Sequence, residues 1–441
     1  MSSPFKQLRF GLRLLVAFLS KYYLATLLGA VLGAAILILS PRLLPYLPKA
    51  RPTLTIAVVG RYTSTEIPYS IQQKISLGLT TISPSGQPAP GLATSWTMDA
   101  SGKSYTFNLA PNLHWQNGTP IKSRDINYHF KDTDFIYPSD SQIVVNLKEP
   151  FSPLPVVLSR PAFKTGLLGA GSYRASRLKK TGQNIDSLTL VPTDSSSRLP
   201  RLHYFFYPSE QQARLAFKLG TVNFLEDLQD PADLAEWPSI RVSTFVQKDR
   251  YIGIFFNTQT VEKSLRQALA YAIDKSRWPN RAFGPLAPTS WAYNSDVKPY
   301  DLDLGRAKQL LAKVGKKPDK IVLTTLSVYL PDAEAVKSDW QALGIPTEIQ
   351  VVPEITTDFT ALIIGQKIPI DPDQYSLWHS TQETNISHFN HPRADKLLED
   401  GRKTLDQQTR KNIYLEFQKF ISEELPVIFL YHPTTYFISR I

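Results

Sequence analysis

Between Tyr105 and Leu109 the apolar side chains Tyr105, Phe107 and Leu109 alternate with Thr106 and Asn108, the period of a strand with one buried face. A turn cluster, Asp99 to Gly102, precedes this run. Asn117-Gly118 follows it, between Trp115 and Pro120-Ile121, and offers the left-handed conformations of a tight hairpin. Ser123 is placed to cap a helix over Ser123 to Phe130, with Asp125 in its first turn at the positive end of the dipole. Strand patterns also occur at Thr53 to Val59, Ile143 to Leu147, Leu188 to Val191, Leu202 to Tyr207 and Ile252 to Phe256. The period lengthens to that of a helix after Ser209, through Leu219 to a closing Gly220. It does so again at Val261, Leu265, Ala268, Leu269, Ala272 and Ile273, with Asp274 able to cap the next helix.

Further on, Lys320 to Thr325 (strand), Asp332 to Leu343 (helix closed by Gly344) and Thr347 to Val352 (strand) predict a β-α-β unit, which makes the chain α/β. A strand is expected over Phe359 to Ile364, and loops at Asp371-Pro372-Asp373 and Asn385 to Asn390. Asp406 starts a long helix with Ile413, Phe417, Phe420 and Ile421 on one face, and Pro426 ends it. Val427 to Tyr431 and Tyr436 to Ile438 read as closing strands.

The N-terminal pattern is different. Tyr22 to Leu39 contains no charged residue, close to the roughly twenty residues a membrane-crossing helix needs. Lys6, Arg9, Arg13 and Lys21 precede it, so the positive-inside rule places residues 1–21 in the cytoplasm, 22–39 in the membrane and the remainder outside. The apolar run is longer than that of a cleaved signal peptide and exits through Ser40-Pro41-Arg42, which favours an uncleaved signal anchor over cleavage. Phe5 to Leu19 reads as an interfacial helix. Residues 40–52, with Pro41, Pro45, Pro48 and Pro52, form a stiff spacer.

Composition alters this picture in two places. The net charge of +11 among 441 residues invites a nucleic-acid reading. Seven of the basic residues, however, lie in residues 1–51 with no acidic one, leaving +4 for the rest. That basicity belongs to membrane topology and not to nucleic acid. The absence of Cys excludes disulfides, a thiolate metal site, a Cys nucleophile and a lipid-modified Cys anchor.

Chemistry-bearing motifs are sparse. His388 and His391 stand three apart but in a loop-like stretch, and no HExxH or GxSxG pattern occurs. Gly169-Ala170-Gly171-Ser172-Tyr173 fits neither GxGxxG nor a P-loop and reads as a tight turn before a strand. Glu423-Glu424 reads as a solvated helix end. No cofactor or metal is expected, and an enzyme would require residues brought together only by folding.

The run Leu92-Ala93-x-x-Trp96, Tyr105-Thr106-Phe107-x-Leu109 and Trp115-x-x-Gly118-Thr119-Pro120 with Asp125 resembles the signature of the family 5 solute-binding proteins. These are the oligopeptide, dipeptide and nickel receptors of ABC importers. Asn117 stands where the family usually has Asp. Phe256-Asn257 followed by Leu265 to Asp274 resembles the family's second signature. Gly169 to Tyr173 is similar to its Gly-x-Gly-Pro-Tyr turn, with Ser172 in place of Pro.

The resemblance implies a two-lobed periplasmic-binding-protein-like α/β fold of class II type, behind the N-terminal transmembrane helix. The lobes would be residues 53–247, trimmed relative to larger members, and 248–430, with 431–441 returning toward the first. It implies an extracytoplasmic receptor that works as a monomer, binds peptides in the cleft and hands them to ABC permease subunits. In the family's peptide receptors an Asp in a segment Gly-x-x-x-Asp-x-x-x-Pro meets the peptide's amino terminus. Asp371 is the closest position here and Asp373 the fallback, with turn capping as the competing role for both. The same fold binding a metal complex, sugar or other small solute stays open, as does a membrane-tethered hydrolase or an interaction protein.

Overall fold

The computed structural model describes residues 16–43, 51–315 and 317–440. The chain forms two compact units, Met1–Pro52 and Thr53–Ile441. In the first, a 21-residue helix spans Tyr23–Leu43. It runs through Ser40, Pro41 and Arg42, so the start of the expected spacer is helical. Leu24, Leu28, Val31, Leu32, Ile36 and Leu37 are all exposed on it, giving apolar surface on every side rather than one stripe. Side chains are described only as far as Leu39, and among the described residues no helix is both long and apolar enough to cross a membrane. Most of the expected interfacial helix (residues 5–15) and the spacer's Pro45 and Pro48 lie outside the described residues.

The second unit is built on three main sheets. At its centre Thr53–Val59, which buries Ile56 on one face and Ala57 on the other, pairs in parallel with Arg201–Tyr207 and Phe224–Leu228. Antiparallel strands complete a seven-stranded sheet: Asn184–Pro192 and Tyr173–Thr181 on one side, Thr434–Arg440 and Ile240–Val246 on the other. Leu202, Tyr204 and Phe206 face a core closed by the helix Tyr69–Ile75. Phe205 and Tyr207 face the helix Glu210–Lys218, whose start is capped by Ser209 accepting from Gln212 N.

The stretch around Tyr105 forms a separate four-stranded antiparallel sheet. Ala93–Met98, Ser104–Leu109, Gln142–Leu147 and Thr133–Ser139 lie side by side in that order. Tyr105, Phe107 and Leu109 are buried, as the alternation requires. Two local expectations are corrected. Only Gly118 of the Asn117-Gly118 pair is left-handed, with φ of 82°; Asn117 instead accepts hydrogen bonds from Thr119 through its side chain. The helix over Ser123 to Phe130 does not form. A single turn, Ser123–Asp125, gives way to non-helical chain, left-handed at His129 (φ 49°), in which Ile126, Tyr128 and Phe130 pack on the core while Asn127 and His129 are exposed. That is a period of two, and the cap signal at Ser123 outweighed it in the sequence reading. Asp125 instead accepts from the Trp115 indole at 3.2 Å and from Lys122 N at 3.1 Å, pinning the hairpin to the turn.

The remaining body is a five-stranded sheet in the order Thr347–Val351, Ile321–Thr325, Ala361–Lys367, Arg250–Phe256, Val427–Tyr431. The expected β-α-β unit is present, with Ile321–Thr325 and Thr347–Val351 parallel around the helix Leu330–Ala342, and Gly344 left-handed behind it. One face packs on Leu265, Ala268, Leu269 and Trp340; the other packs on Trp378, Tyr414 and Phe417. The strand expected from Phe359 begins at Ala361. Residues Leu154–Val157 form a single helical turn after Pro153. The helix Pro392–Lys403 was legible but not expected, since Ala394, Leu397, Leu398 and Gly401 recur at helical spacing and all are buried.

Candidate functional site

Two segments connect the lobes. Residues 247–249 leave the strand Ile240–Val246 for Arg250–Phe256, and residues 432–433 lead from Val427–Tyr431 back into Thr434–Arg440. They run side by side: Gln247 N donates to Pro433 O at 2.8 Å, and His432 Nδ1 lies 2.7 Å from Arg250 O. Burial pushes the His432 imidazole pKa below its usual value, against the hydrogen bond to Arg250. A crossover pair of this kind confines relative motion of the lobes to a few backbone torsions.

The expected ligand carboxylates lie in the second lobe and are occupied. Asp371 is buried, and both of its oxygens are taken by the Arg410 guanidinium: Nη1 donates to Oδ2 at 2.9 Å and Nη2 to Oδ1. Oδ1 also accepts from Asp373 N at 2.9 Å. Asp373 accepts from Arg402 Nε and Nη2 at 3.0 and 2.8 Å, and from Tyr375 N at 3.1 Å. Both aspartates therefore cap the turn and neutralise an arginine. Counted from Gly365, the position that the Gly-x-x-x-Asp pattern gives to the carboxylate is Pro369. Arg402 carries the link to the first lobe: its guanidinium sits 4.0 Å from the Tyr375 ring centroid and 5.3 Å from that of Phe151. Its carbonyl accepts from Ser152 N and Oγ at 3.0 Å each.

At the inner end of the first lobe the geometry differs. A pocket of about 250 Å³ is lined by Ser70, Lys74, Tyr204, Glu226, Asp227, Phe245, Thr435, Tyr436 and Phe437. It lies beside the pair Phe245–Thr435, one step from where both connections leave the sheet. Glu226 is half-buried in this pocket and has no hydrogen bond or ion pair among the described residues. Burial, reinforced by Asp227, raises its pKa, while Lys74 is near enough to oppose the shift. Phe245 is 58% exposed beside it, an apolar surface at a charged pocket. Sequence reasoning missed Glu226. The available signal was an acidic pair, Glu226-Asp227, near the carboxyl end of a strand parallel to the central one, where α/β sheets place ligands.

Two larger concavities join the lobes. One of about 700 Å³ is lined by Glu210, Gln229, Asp230, Arg250, Tyr329 and Tyr431 among others. Another of about 700 Å³ lies under the four-stranded sheet, between Phe130, Phe151 and Leu154 on one wall and Tyr375, Glu399 and Arg402 on the other.

The glycine-rich loop spends both of its glycine amides within the fold. Gly171 N donates to Ile75 O at 2.8 Å and Gly169 N to Gln116 Oε1 at 3.3 Å. A Cβ on Gly169 would collide with Ile75 O, so close backbone approach is what these glycines supply. His391 caps the helix Pro392–Lys403, and among the described residues no group of three His, Cys, Asp or Glu side chains is placed to hold a metal ion.

The profile of the bacterial extracellular solute-binding proteins, family 5 (middle region), matches residues 87–396. The chain belongs to this family. The probable D,D-dipeptide-binding periplasmic protein DdpA of Escherichia coli (strain K12) is 22% identical over 417 residues, which is 77% of this chain and 78% of that protein. The dipeptide-binding protein of the same organism is 22% identical over 441 residues, 79% and 81% of the two chains. Among solved structures, the substrate-binding protein CtaP of Listeria monocytogenes superposes with a TM-score of 0.76 at 19% identity, over 89% of this chain and 94% of that one. The oligopeptide-binding protein AppA of Bacillus subtilis, in complex with a nonapeptide, gives 0.68 at 19% identity, over 89% and 95%. These likenesses establish a two-lobed α/β solute-binding protein.

In this family member the second signature has a structural role. Arg266, buried in the helix Lys263–Ala272, donates from Nε to Leu425 O at 3.0 Å, from Nη2 to Glu424 O at 2.6 Å and from Nη1 to Val261 O. Gln267 Nε2 reaches Glu423 O at 2.9 Å. The pair clamps the carbonyl end of the long helix Gln407–Glu424, the terminus that a cation stabilises.

Proposed function

We propose that this solute-binding protein is a membrane-anchored extracytoplasmic receptor that binds peptides between its lobes (residues 53–247 and 248–430) and passes them to an ABC permease. The segment 431–441 returns the chain to the first lobe. Peptide as the ligand class is supported by the names of the curated relatives, which include dipeptide- and oligopeptide-binding proteins. The observation that carries the reading is Glu226, a carboxylate without a partner in a pocket at the crossovers. A desolvated peptide ammonium needs such an acceptor. Asp371 and Asp373 then act on the ligand only by fixing the loop that faces the first lobe, since their oxygens are spent on Arg410 and Arg402.

Calorimetry of the full chain against a di- to pentapeptide library tests this. Glu226→Gln is expected to weaken free-amine peptides by about 2 kcal/mol or more, roughly 30-fold in Kd, and to leave acetylated peptides unchanged. Equal loss for both, or no binding by the unaltered chain, overturns the assignment. Because the Glu226 pKa is raised, its ionised form is lost on acidification at a pH above the ordinary carboxylate range. Affinity for free-amine peptides therefore falls as the pH drops through that raised value.

The anchor is supported by the uncharged run Tyr22 to Leu39, close to the roughly twenty residues that a membrane-crossing helix needs, and by the basic residues that precede it. N-terminal sequencing of the mature protein should find residue 1 or 2, and a start near residue 50 would remove the anchor.

A further inference from the structure

The face of the seven-stranded sheet that packs on Glu210–Lys218 through Ala57 and Phe205 continues beyond that helix. Two residues back along each strand, Thr55, His203, Thr189 and Arg177 form one row across four strands. Thr53 lies opposite Arg201 and Arg174 opposite Val191 in the next row, with Lys179 opposite Ser187 on the other side. All of these except Thr55 and Ser187, together with Ser176, line a shallow concavity of about 440 Å³ that contains no carboxylate. Arg174, Arg177, Lys179 and Arg201 are exposed, and among the described residues none of their side chains makes an ion pair or hydrogen bond. His203 has its pKa lowered by burial, with Lys179 and Arg177 adding to the shift. The body elsewhere pairs many of its cations with acids, for example Lys148 with Asp132 and Arg281 with Asp301. Here four cations share a sheet face with none.

We infer that this cationic sheet face, Arg174, Arg177, Lys179 and Arg201, docks on the anionic lipid headgroups of the membrane that holds the protein. The inference rests on the anchored reading above. Three features select a lipid surface over a soluble anion. The face is broad, spans four strands and has no enclosing wall, which suits a plane of charges better than one phosphate. Thr53, on its margin, begins the body, and only residues 44–52 separate it from the helix Tyr23–Leu43. At no more than about 3.5 Å per residue that connection spans at most about 35 Å. A tethered cationic face is therefore held at high effective concentration next to the headgroups, where attraction acts within about a Debye length.

The experiment uses the full chain reconstituted in lipid nanodiscs. The sequence has no Cys, so Ser176→Cys supplies a single site for an environment-sensitive fluorophore. Lipid-borne quencher is expected to reach the probe several-fold more in discs containing phosphatidylglycerol than in discs of phosphatidylcholine alone, and added salt should abolish the difference. The combined variant Arg174→Gln, Arg177→Gln, Lys179→Gln and Arg201→Gln should remove the effect while its thermal unfolding stays unchanged. Equal quenching in both lipids, or release by inorganic phosphate that other salt of the same ionic strength does not reproduce, overturns the lipid assignment while leaving the anchor intact. A chain that fails to co-elute with discs of either composition overturns the anchor and this inference together.

Discussion

Asp371→Asn is expected to lower the stability of the protein by about 3–5 kcal/mol, because it leaves the Arg410 charge buried without a counter-ion. The side chains are 8% and 6% exposed, so water does not replace the lost partner. Burial alone would depress the Arg410 pKa, but the hydrogen bonds and charge of Asp371 outweigh it and hold the guanidinium above its usual range. Asn keeps an oxygen for Asp373 N yet presents an amide where a second guanidinium contact was made. Denaturant unfolding checks the loss. The double replacement Asp371→Leu with Arg410→Met should recover most of it, since an apolar pair of similar volume removes both charges. Unchanged stability with selectively weakened binding of free-amine peptides would return Asp371 to the role of ligand carboxylate.

Arg266→Leu is the second large effect. It withdraws donors from three carbonyls at once, two of them at the end of the helix Gln407–Glu424. An orphaned buried acceptor costs about 1–3 kcal/mol, so a total of about 3–5 kcal/mol is expected, read as a fall in unfolding midpoint. Burial drives the guanidinium pKa down to about 10 against the opposing charge of Glu424, so the group stays protonated at neutral pH. Arg266→Lys should restore little, because one ammonium cannot reproduce the planar fork. Lys263→Ala, which removes a 39%-exposed partner of Glu424, should cost no more than about 1 kcal/mol and serves as the control for mere surface charge.

Much of the fold was legible because its signals were local. The strand at Tyr105, the helix capped by Ser209 and the β-α-β unit after Lys320 all follow from periodicity and caps within one window. The failure at Ser123 has the same origin. A cap residue and an acidic first turn argued for a helix, while the alternation of Ile126, Tyr128 and Phe130 described the non-helical chain that packs against the four-stranded sheet. The site was less legible because partner choice is not local. Nothing near Asp371 announces Arg410, thirty-nine positions away, and nothing near Glu226 announces that no cation pairs with it. An acidic residue in a loop reads the same whether it is spent or free.

The strand Thr434–Arg440 lies inside the first lobe's sheet, between Phe224–Leu228 and Ile240–Val246, although the whole second lobe separates it from them in sequence. During synthesis and export the first lobe therefore emerges with a gap in its sheet and two unsatisfied strand edges facing it. Neither edge can be closed until the second lobe has been made. The two lobes are coupled in folding order as well as at the hinge, and the interval before closure is when the nascent chain is most exposed to pairing with strands other than its own.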